Sequence, residues 1–262
     1  MGPDSSVIAV ESLDMTADNQ TARRLIELNT EFYRLQAASF SQTRHAAWTG
    51  WGRLADGLSL DSHAKVLDLA CGNLRFERFL QERFPLTRFE FDAVDNCPAL
   101  SVGAKDIPVR DLDLAQALLD GRRLELSAHD LAVSFGFMHH LPTFEMRSGL
   151  LELLARATAP GGVFSVSFWQ FMDDEGLAAK AEQTTTRGIS ELGITGLGAR
   201  DYLIGWQAKP GVYRYCHHFD DTEVDALAAH IADRARLVDS YRADGRTGRL
   251  NRYLVFKRTQ LG

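Results

Sequence analysis

The chain has 262 residues, of which 45% are hydrophobic and 24% are charged, a balance typical of one globular α/β domain. It contains no apolar run near the roughly 18 residues that a membrane span needs, and its net charge of −6 is unlike that of a protein coated with basic residues for nucleic acid. Cys71, Cys97 and Cys216 are widely separated, which favours free thiols in a reducing, cytoplasmic compartment, and the sequence predicts no metal site.

The N-terminal part is predicted to be a tail followed by two helices. Residues 1–20 lack the positive start and the long apolar stretch of a secretory signal, and we expect a flexible tail there. Apolar residues recur at helical spacing from Thr21 to Phe40, and a second helix is predicted from Thr43 to Leu54. Residues 21–262 are expected to form a single domain.

Strands alternate with helical patterns through the middle of the chain. The predicted strands span Lys65 to Leu69, Phe89 to Val94, Ile107 to Val109, Leu131 to Phe135 and Val163 to Trp169. Such alternation is typical of a parallel sheet that is covered by helices on both faces. A helix from Asp221 to Ala232 then precedes two strands, Leu237 to Tyr241 and Arg252 to Phe256, which we expect to pair as an antiparallel hairpin.

Residues 172–215 interrupt this alternation. They are rich in Gly, Thr and Ala, with scattered aromatic residues and no clear periodicity. We interpret them as an insertion after the fifth strand that forms a lid over the substrate.

The sharpest motif is VLDLACG, from Val66 to Gly72, in which a strand runs into a tight turn and then a helix. Backbone N–H groups at such a helix start can approach a ligand closely. The turn lacks the second and third glycines of a dinucleotide fingerprint, which disfavours an NAD site. Asp68, at the end of the strand, suits a cationic ligand.

Further acidic residues follow the next two strands. Asp95 closes the second strand, and Asp111 follows the third. A single Asp at a strand end is commonly a helix cap or a turn former. However, the carboxyl ends of parallel strands meet at one edge of the sheet, where ligands bind. Together with Asp68, these residues therefore predict one cofactor site.

The VLDLACG stretch resembles motif I of the class I S-adenosylmethionine methyltransferases, with Asn73 where that family often has another glycine. The resemblance implies a Rossmann-like α/β fold with a seven-stranded, mostly parallel sheet, a C-terminal antiparallel hairpin, N-terminal helices and a lid after strand 5. It also implies S-adenosyl-L-methionine as the cofactor. The residues that it assigns to cofactor binding are Asp68, Ala70, Cys71, Gly72, Asp95, Asn96, Asp111, Leu112 and Phe135.

The same resemblance matches each acidic residue to one part of the cofactor. It implies that Asp68 lies near the methionine amino group and that Asp95 takes both ribose hydroxyls. It also implies that Asp111 accepts a hydrogen bond from the adenine amino group, while Leu112 covers the ring.

Two adjacent histidines, His139 and His140, follow the fourth strand. Their position suits a catalytic base, but in many methyltransferases similar His-His-Leu turns pack near the cofactor without acid–base chemistry. The sequence therefore allows two interpretations of His139, a catalytic role and a structural role.

A more specific resemblance covers nearly the whole chain after residue 30. The chain is similar to the tRNA methyltransferases that esterify 5-carboxymethyluridine at the wobble position. The matching segments are Tyr33 to Trp48, His139 to Leu141, Ala159 to Gly162, Arg214 to Phe219 and Asn251 to Leu254. Cys216, His218 and Arg252 depart from that family's pattern, which leaves the substrate pocket open to another acceptor.

Four residues are predicted to orient the methyl acceptor, namely Arg44, Arg214, Tyr215 and His217. A carboxylate is already ionised at neutral pH, so orientation is the main task of such an enzyme. Arg44 and Arg214 are candidates to bind a carboxylate or a phosphate through two parallel hydrogen bonds. In the alternative interpretation, Arg214, Tyr215 and His217 only anchor the lid to the core.

The resemblance predicts a cytoplasmic enzyme that methylates a carboxylate oxygen of the tRNA wobble uridine, with tRNA as substrate and a small activator protein as partner. Two other functions fit the sequence: methyl transfer to a small metabolite, such as a quinone, polyketide or carboxylic acid, and non-catalytic binding on a methyltransferase fold. The pI near 5.8 favours the small metabolite. A basic surface that links Arg44 and Arg214 to the arginines after Tyr241 would favour RNA, whereas a closed apolar cavity would favour a small molecule.

Overall fold

The computed structural model describes residues 19–102 and 106–259, and within these ranges strands and helices alternate along most of the chain. The strands are β1 (His63–Leu69), β2 (Arg88–Asp95), β3 (Val109–Asp111), β4 (His129–Ser134), β5 (Thr158–Trp169), β6 (Asp201–Gly205), β7 (Tyr213–His217), β8 (Ala235–Ala243) and β9 (Asn251–Arg258). The helices are α1 (Asn19–Ser41), α2 (Thr49–Asp56), α3 (Arg75–Arg83), α4 (Leu114–Leu119), α5 (Phe144–Ala157), α6 (Glu175–Leu192) and α7 (Asp221–His230).

The main sheet has the strand order β3-β2-β1-β4-β5-β9-β8. The five strands from β3 to β5 run parallel, and β9 is antiparallel to both β5 and β8. The predicted mostly parallel, seven-stranded sheet with a C-terminal antiparallel hairpin is therefore confirmed. Successive strands are added in one direction from β1 to β3 and in the opposite direction from β4 to β5. The boundary between β1 and β4 is therefore a switch point, and a crevice opens there at the carboxyl ends of the strands.

The two faces of the sheet pack against different helices because side chains alternate along each strand. Leu67 and Ala132 pack with α5 and α7 in one buried cluster, whereas Val66 and Val133 pack with α2 and α3 in another. Each fully buried Leu or Val contributes about 1.5–3 kcal/mol relative to an exposed position. Among the described helices, none is both long enough and apolar enough to cross a membrane.

Several element boundaries differ from the predicted ones. The second helix begins at Thr49 rather than Thr43, so that residues 43–48 form a connection from α1. Strand β5 begins at Thr158, which pairs with His129 ahead of a register shift in β4. Of the predicted tail, residues 1–18 lie outside the described ranges, while Asn19 already belongs to α1.

The predicted insertion contains α6 and the antiparallel hairpin of β6 and β7. Asp174 caps the start of the helix, because its side chain accepts from the Leu177 amide at 3.1 Å. Its buried residues are all small, namely Ala181, Thr184 and Gly188. A Cβ on Gly188 would lie 2.9 Å from Cδ1 of Leu203, so the helix packs closely on β6. The role of this segment as a lid stays a prediction.

Candidate functional site

The turn after β1 has an unusual backbone. Ala70, Gly72 and Leu74 adopt the left-handed conformation, with φ of 66°, 57° and 59°. The amides of Ala70 and Cys71 both donate to the Val94 carbonyl, at 2.8 and 3.0 Å, which ties the turn to β2. Among the described residues, no atom apart from those of Gly72 and its two chain neighbours lies within 4 Å of where a Cβ on Gly72 would sit. The turn therefore presents open backbone at the crevice.

A cavity opens above this turn. The predicted cofactor residues that line it are Asp68, Ala70, Cys71, Gly72, Asp95, Asn96, Leu112 and Phe135. Asp111 does not line it, being exposed at the end of β3. Asp113 does, and it also caps α4 by accepting from the Gln116 amide at 2.9 Å.

The floor of the cavity carries buried carboxylates. Asp95 accepts from the amides of Gly72, at 2.9 Å, and Cys97, at 2.8 Å, which fixes the carboxylate against the turn. Asp68 is 4% exposed, and its Oδ1 atom has no hydrogen-bond partner in the described part of the chain. A buried carboxylate oxygen without a partner is costly, and a cationic or donor ligand would offset that cost.

Glu77 of α3 lies beside Asp68 and was not predicted as a site residue. It is fully buried, and apart from Asp68, no described residue provides a hydrogen-bond partner for its carboxylate oxygens. Burial and the neighbouring Glu77 raise the pKa of Asp68 well above its usual range, and burial raises the pKa of Glu77 to about 7. Two neighbouring carboxyl groups of this kind share a proton. The only signal in the sequence is an acidic residue between the core residues Phe76 and Leu80.

Another part of the cavity wall carries arginines. Arg44 and Arg75 line the cavity, and neither forms an ion pair within residues 19–102 and 106–259. The Arg44 guanidinium carbon lies 3.9 Å from the ring centroid of Phe40, and that of Arg75 lies 5.4 Å from Trp48. The cavity therefore combines an acidic floor with a basic, aromatic wall.

Arg214 lies behind this wall and does not line the cavity. It is 6% exposed, its Nη1 donates to the Tyr33 hydroxyl at 3.3 Å, and its Nε has no partner among the described atoms. Burial and the nearby Arg214 lower the pKa of Arg44 to about 10, so Arg44 keeps its charge at neutral pH. A buried cation beside a half-buried one, without an anion among the described residues, is unfavourable, and an anionic ligand would compensate for both charges.

His140, rather than His139, lines the cavity. Its Nε2 lies 2.8 Å from the Tyr33 hydroxyl, and its Nδ1 lies 3.0 Å from the Tyr215 carbonyl. Burial lowers the pKa of His140 to about 3, so the neutral ring donates through Nδ1 and accepts from Tyr33. Burial also lowers the pKa of His139 well below its usual range. A catalytic role for His139 stays a prediction, and its position behind the wall gives it no contact with the cavity.

Tyr215 and His217 belong to a buried polar network outside the cavity wall. The Tyr215 hydroxyl donates to Asp201 at 2.7 Å. The two ring nitrogens of His217 lie 2.7 Å from Asp201 and 2.9 Å from Glu223. Arg147 donates to Glu223 at 2.7 Å. These bonds connect the β6–β7 hairpin to α5 and α7, which is the anchoring role considered from the sequence.

His139, His140 and Cys216 place one potential metal-binding atom each within 4.8 Å of one another. However, both nitrogens of His140 are already hydrogen-bonded, and the charge of Arg214 acts on this group of side chains. That environment disfavours a cation, and the expectation of no metal stays a prediction.

Asn73, which replaces a glycine of the motif, connects three arginines. Its Nδ2 donates to the Arg44 carbonyl at 3.1 Å, and its Oδ1 accepts from Arg75 Nε at 3.1 Å. Its own carbonyl accepts from Arg78 Nη2 at 2.8 Å. Arg75 and Arg78 were not predicted as site residues. The signal for them in the sequence is their position directly after the motif, on the first turn of α3.

Two of the C-terminal arginines are compensated by aspartates. Arg242 pairs with Asp173 at 3.1 Å and with Asp221 at 2.8 Å. Arg252 pairs with Asp221 at 3.1 Å and with Asp225 at 2.7 Å. Their charges are therefore used within the protein surface, which does not favour RNA binding at these two positions.

The architecture is that of the class I S-adenosylmethionine-dependent methyltransferase fold, as the sequence predicted. The solved DhpI-SAM-HEP complex matches 88% of this chain and 97% of its own, with a TM-score of 0.59 and 16% identity. The Burkholderia thailandensis 1,6-didemethyltoxoflavin-N1-methyltransferase, solved with 1,6-didemethyltoxoflavin and S-adenosylhomocysteine, matches 91% of each chain, with a TM-score of 0.56 and 15% identity. At these identities the likeness defines the fold.

No protein-family profile matches the chain. In sequence it is similar to the mouse tRNA (carboxymethyluridine(34)-5-O)-methyltransferase ALKBH8, with 28% identity over 169 residues, or 62% of this chain. The matched region is 22% of the mouse protein, so the chain spans about a fifth of that relative.

Proposed function

We propose that the protein is an S-adenosylmethionine-dependent methyltransferase that methylates a carboxylate oxygen of its acceptor. The observation that carries this proposal is the separation of charge in one cavity, with Asp68 and Asp95 on the floor and the unpaired Arg44 on the wall. A cationic methyl donor and an anionic acceptor would each meet the opposite charge there.

The residues on the floor fit this cofactor. Asp95 is held by the Gly72 and Cys97 amides and keeps lone pairs for the ribose hydroxyls. The unsatisfied Oδ1 of Asp68 suits the cationic amino acid end. The bound cofactor supplies an electrophilic methyl group on its sulfonium. The exposed Asp111 is not part of the proposed site, and Leu112 and Asp113 take its place near the adenine.

The wall residues would position the acceptor. Arg44 offers a fork of donors to a carboxylate, and the nearby Arg214 adds positive charge. Tyr33 and Trp48 line the cavity and would exclude water from a reacting pair. The neutral His140 is engaged on both nitrogens, which agrees with a reaction that needs no general base because a carboxylate is already ionised.

The proposed acceptor is the carboxymethyl group of a tRNA wobble uridine in the cytoplasm. The activity of the mouse relative supports this choice. A small carboxylic acid is the second candidate, supported by the ion pairs of Arg242 and Arg252 and by the enclosure of Arg214 among aromatic rings. An activator subunit, expected from the resemblance alone, stays a prediction.

The first test is calorimetric titration with S-adenosylhomocysteine of the wild type and of two matched variants, Asp95→Asn and Asp111→Asn. Loss of a charge-assisted hydrogen bond at Asp95 should weaken binding by about tenfold or more. Asp111→Asn should bind as the wild type does, because its side chain does not line the cavity. Absence of binding by the wild type would overturn the proposal.

The acceptor is then identified by transfer of a labelled methyl group to bulk tRNA and to a small-molecule extract. Label that enters tRNA and is released by base as an ester supports the wobble uridine. Base-labile label found only among small molecules supports the second candidate. Label that resists base in both fractions contradicts carboxylate methylation.

A further inference from the structure

A shallow groove opens beside the cavity at the junction of α1, the residue 43–48 connection and α3. Its polar lining residues include Ser41, Arg44, His45, Asn73, Arg78 and Ser101. Arg44 and Asn73 also line the cavity, so the groove and the cavity are continuous. No acidic residue is found among the described residues that line the groove.

The arginines of this groove are unpaired, unlike others nearby. Arg44 donates to the Thr43 hydroxyl at 2.5 Å, and Arg78 donates to the Asn73 carbonyl at 2.8 Å. Neither has an Asp or Glu partner in the ranges that the structure describes. By contrast, Arg83, on the same helix as Arg78, pairs with Asp56 at 2.9 Å.

A second, independent observation concerns Ser41. Its hydroxyl oxygen is buried at the groove and has no hydrogen-bond partner in the described part of the chain. Buried hydroxyl groups are nearly always hydrogen-bonded, because leaving one unsatisfied costs about 1–3 kcal/mol. A ligand oxygen at this place would accept from Ser41.

The Asn73 side chain stabilises the arrangement. It joins the carbonyl of Arg44, on the connection after α1, to the Arg75 guanidinium on α3. The two sides of the groove are therefore held together before any ligand binds, which reduces the entropic cost of binding.

We infer that this groove binds a phosphate group of the methyl-accepting molecule. Two guanidinium groups and a free hydroxyl are the donors that a tetrahedral oxyanion accepts from. The inference deepens the proposed function and rests on it, because a molecule with its carboxylate in the cavity would have its phosphate in the adjoining groove. A phosphodiester of RNA and a phosphomonoester of a small acid share this chemistry.

The test uses the full chain saturated with S-adenosylhomocysteine and a fluorescein-labelled single-stranded oligouridylate of about 12 nucleotides, long enough to cover one binding site. Fluorescence anisotropy is measured at several salt concentrations for the wild type, Arg78→Ala, Ser41→Ala and the control Arg83→Ala. Arg83 lies about 140° around the helix from Arg78. Unlabelled uridine monophosphate and inorganic phosphate are tested as competitors.

We expect Arg78→Ala to weaken oligouridylate binding about tenfold and to lower the salt dependence by about one phosphate contact. Ser41→Ala should weaken binding less, and Arg83→Ala should not change it. Competition by uridine monophosphate in the wild type, lost in Arg78→Ala, would show that a phosphomonoester fills the same groove.

Equal effects of Arg78→Ala and Arg83→Ala on every probe, or no binding of any probe by the wild type, would overturn the inference. Titration of each variant with S-adenosylhomocysteine separates this result from failure of the proposed function. If the wild type binds S-adenosylhomocysteine but no phosphate probe, only the phosphate-binding role of the groove is refuted. If the wild type does not bind S-adenosylhomocysteine, the proposed activity is refuted.

Discussion

Arg44 and Arg214 lie against the same aromatic ring, with their guanidinium carbons 3.9 and 5.7 Å from the centroid of Phe40. Cation–π contact offsets part of the repulsion between two like charges, contributing about 0.5–2 kcal/mol for each arginine. In the described part of the chain neither arginine has a carboxylate partner. Such a pair of arginines is suited to bind an anionic ligand.

Replacement of Arg214 by Met tests the role of this buried cation. Because the charge has no partner, we expect its removal to leave the free energy of unfolding unchanged or to raise it by about 1–2 kcal/mol. Methyl transfer to the anionic acceptor should fall about 100-fold, while S-adenosylhomocysteine binding stays the same. Denaturant unfolding and steady-state kinetics measure both effects. Large destabilisation with normal activity would show that Arg214 is structural.

Replacement of Arg147 by Met should have the opposite effect on stability. Arg147 is 2% exposed and pairs with Glu223 at 2.7 Å. Without Arg147, Glu223 keeps His217 at 2.9 Å and Arg200 at 3.2 Å but loses its shortest ion pair, and the carbonyls of Leu141 and Pro142 lose their donor. The free energy of unfolding should therefore fall by about 3 kcal/mol. Chemical denaturation of the wild type and the variant measures this difference in the free energy of unfolding. A loss below about 1 kcal/mol, the value of a surface pair, would refute the importance of the network around His217.

The carboxyl pair of Asp68 and Glu77 should make the ligand-free protein less stable as pH rises. Burial raises the pKa of Glu77 from 4.5 to about 7, so between these values the folded protein binds more protons than the unfolded chain, and the free energy of unfolding falls with pH. Glu77→Gln should remove most of this fall and raise the Tm at about pH 8 more than at about pH 5. Equal Tm changes at both pH values would contradict a shared proton.

Binding of the cofactor should release protons from the same pair. A cationic amino group near Asp68 favours the ionised form and lowers the pKa of the pair. Calorimetric titration with S-adenosylhomocysteine at neutral pH, in two buffers of different ionisation enthalpy, should therefore show release of a fraction of a proton. Glu77→Gln should reduce that release, and an unchanged value would assign the proton to another group.

Ala70→Gly should stabilise the protein slightly. Ala70 has φ of 66°, a conformation that costs about 1–2 kcal/mol for a residue with a Cβ. Glycine removes this cost but gains conformational entropy in the unfolded chain, about 0.4–1 kcal/mol, so the net gain should be up to about 1 kcal/mol. The control Ala47→Gly, in an exposed connection without positive φ, should be neutral or slightly destabilising. Thermal unfolding of both variants distinguishes the two cases.

The insertion shows why part of the fold was not visible in the sequence. In strand β1, Val66, Leu67 and Leu69 lie directly before a turn motif, so the strand is recognisable locally. The buried residues of helix α6 are Ala181, Thr184 and Gly188. They are small and stand among other Gly, Thr and Ala residues, so the buried face of this helix is hard to recognise in the sequence. Its close approach to Leu203 selects small residues, and that reason exists only once the hairpin is in place.

By itself, the sequence determined the order along the chain of the strands in the main sheet and the turn from Ala70 to Gly72, because these depend on local periodicity and on residues close in the chain. The cofactor residues stay a prediction, of which the structure places Asp68 and Asp95, but not Asp111, at the cavity. Only the tertiary structure decided which charged residues are satisfied. It buried Tyr215 and His217 in a hydrogen-bonded network, paired Arg242 and Arg252 with aspartates and, within the described part of the chain, left Arg44 and Arg214 without a carboxylate. Compensation of a charge depends on contacts between residues far apart in the chain, which local sequence patterns do not encode.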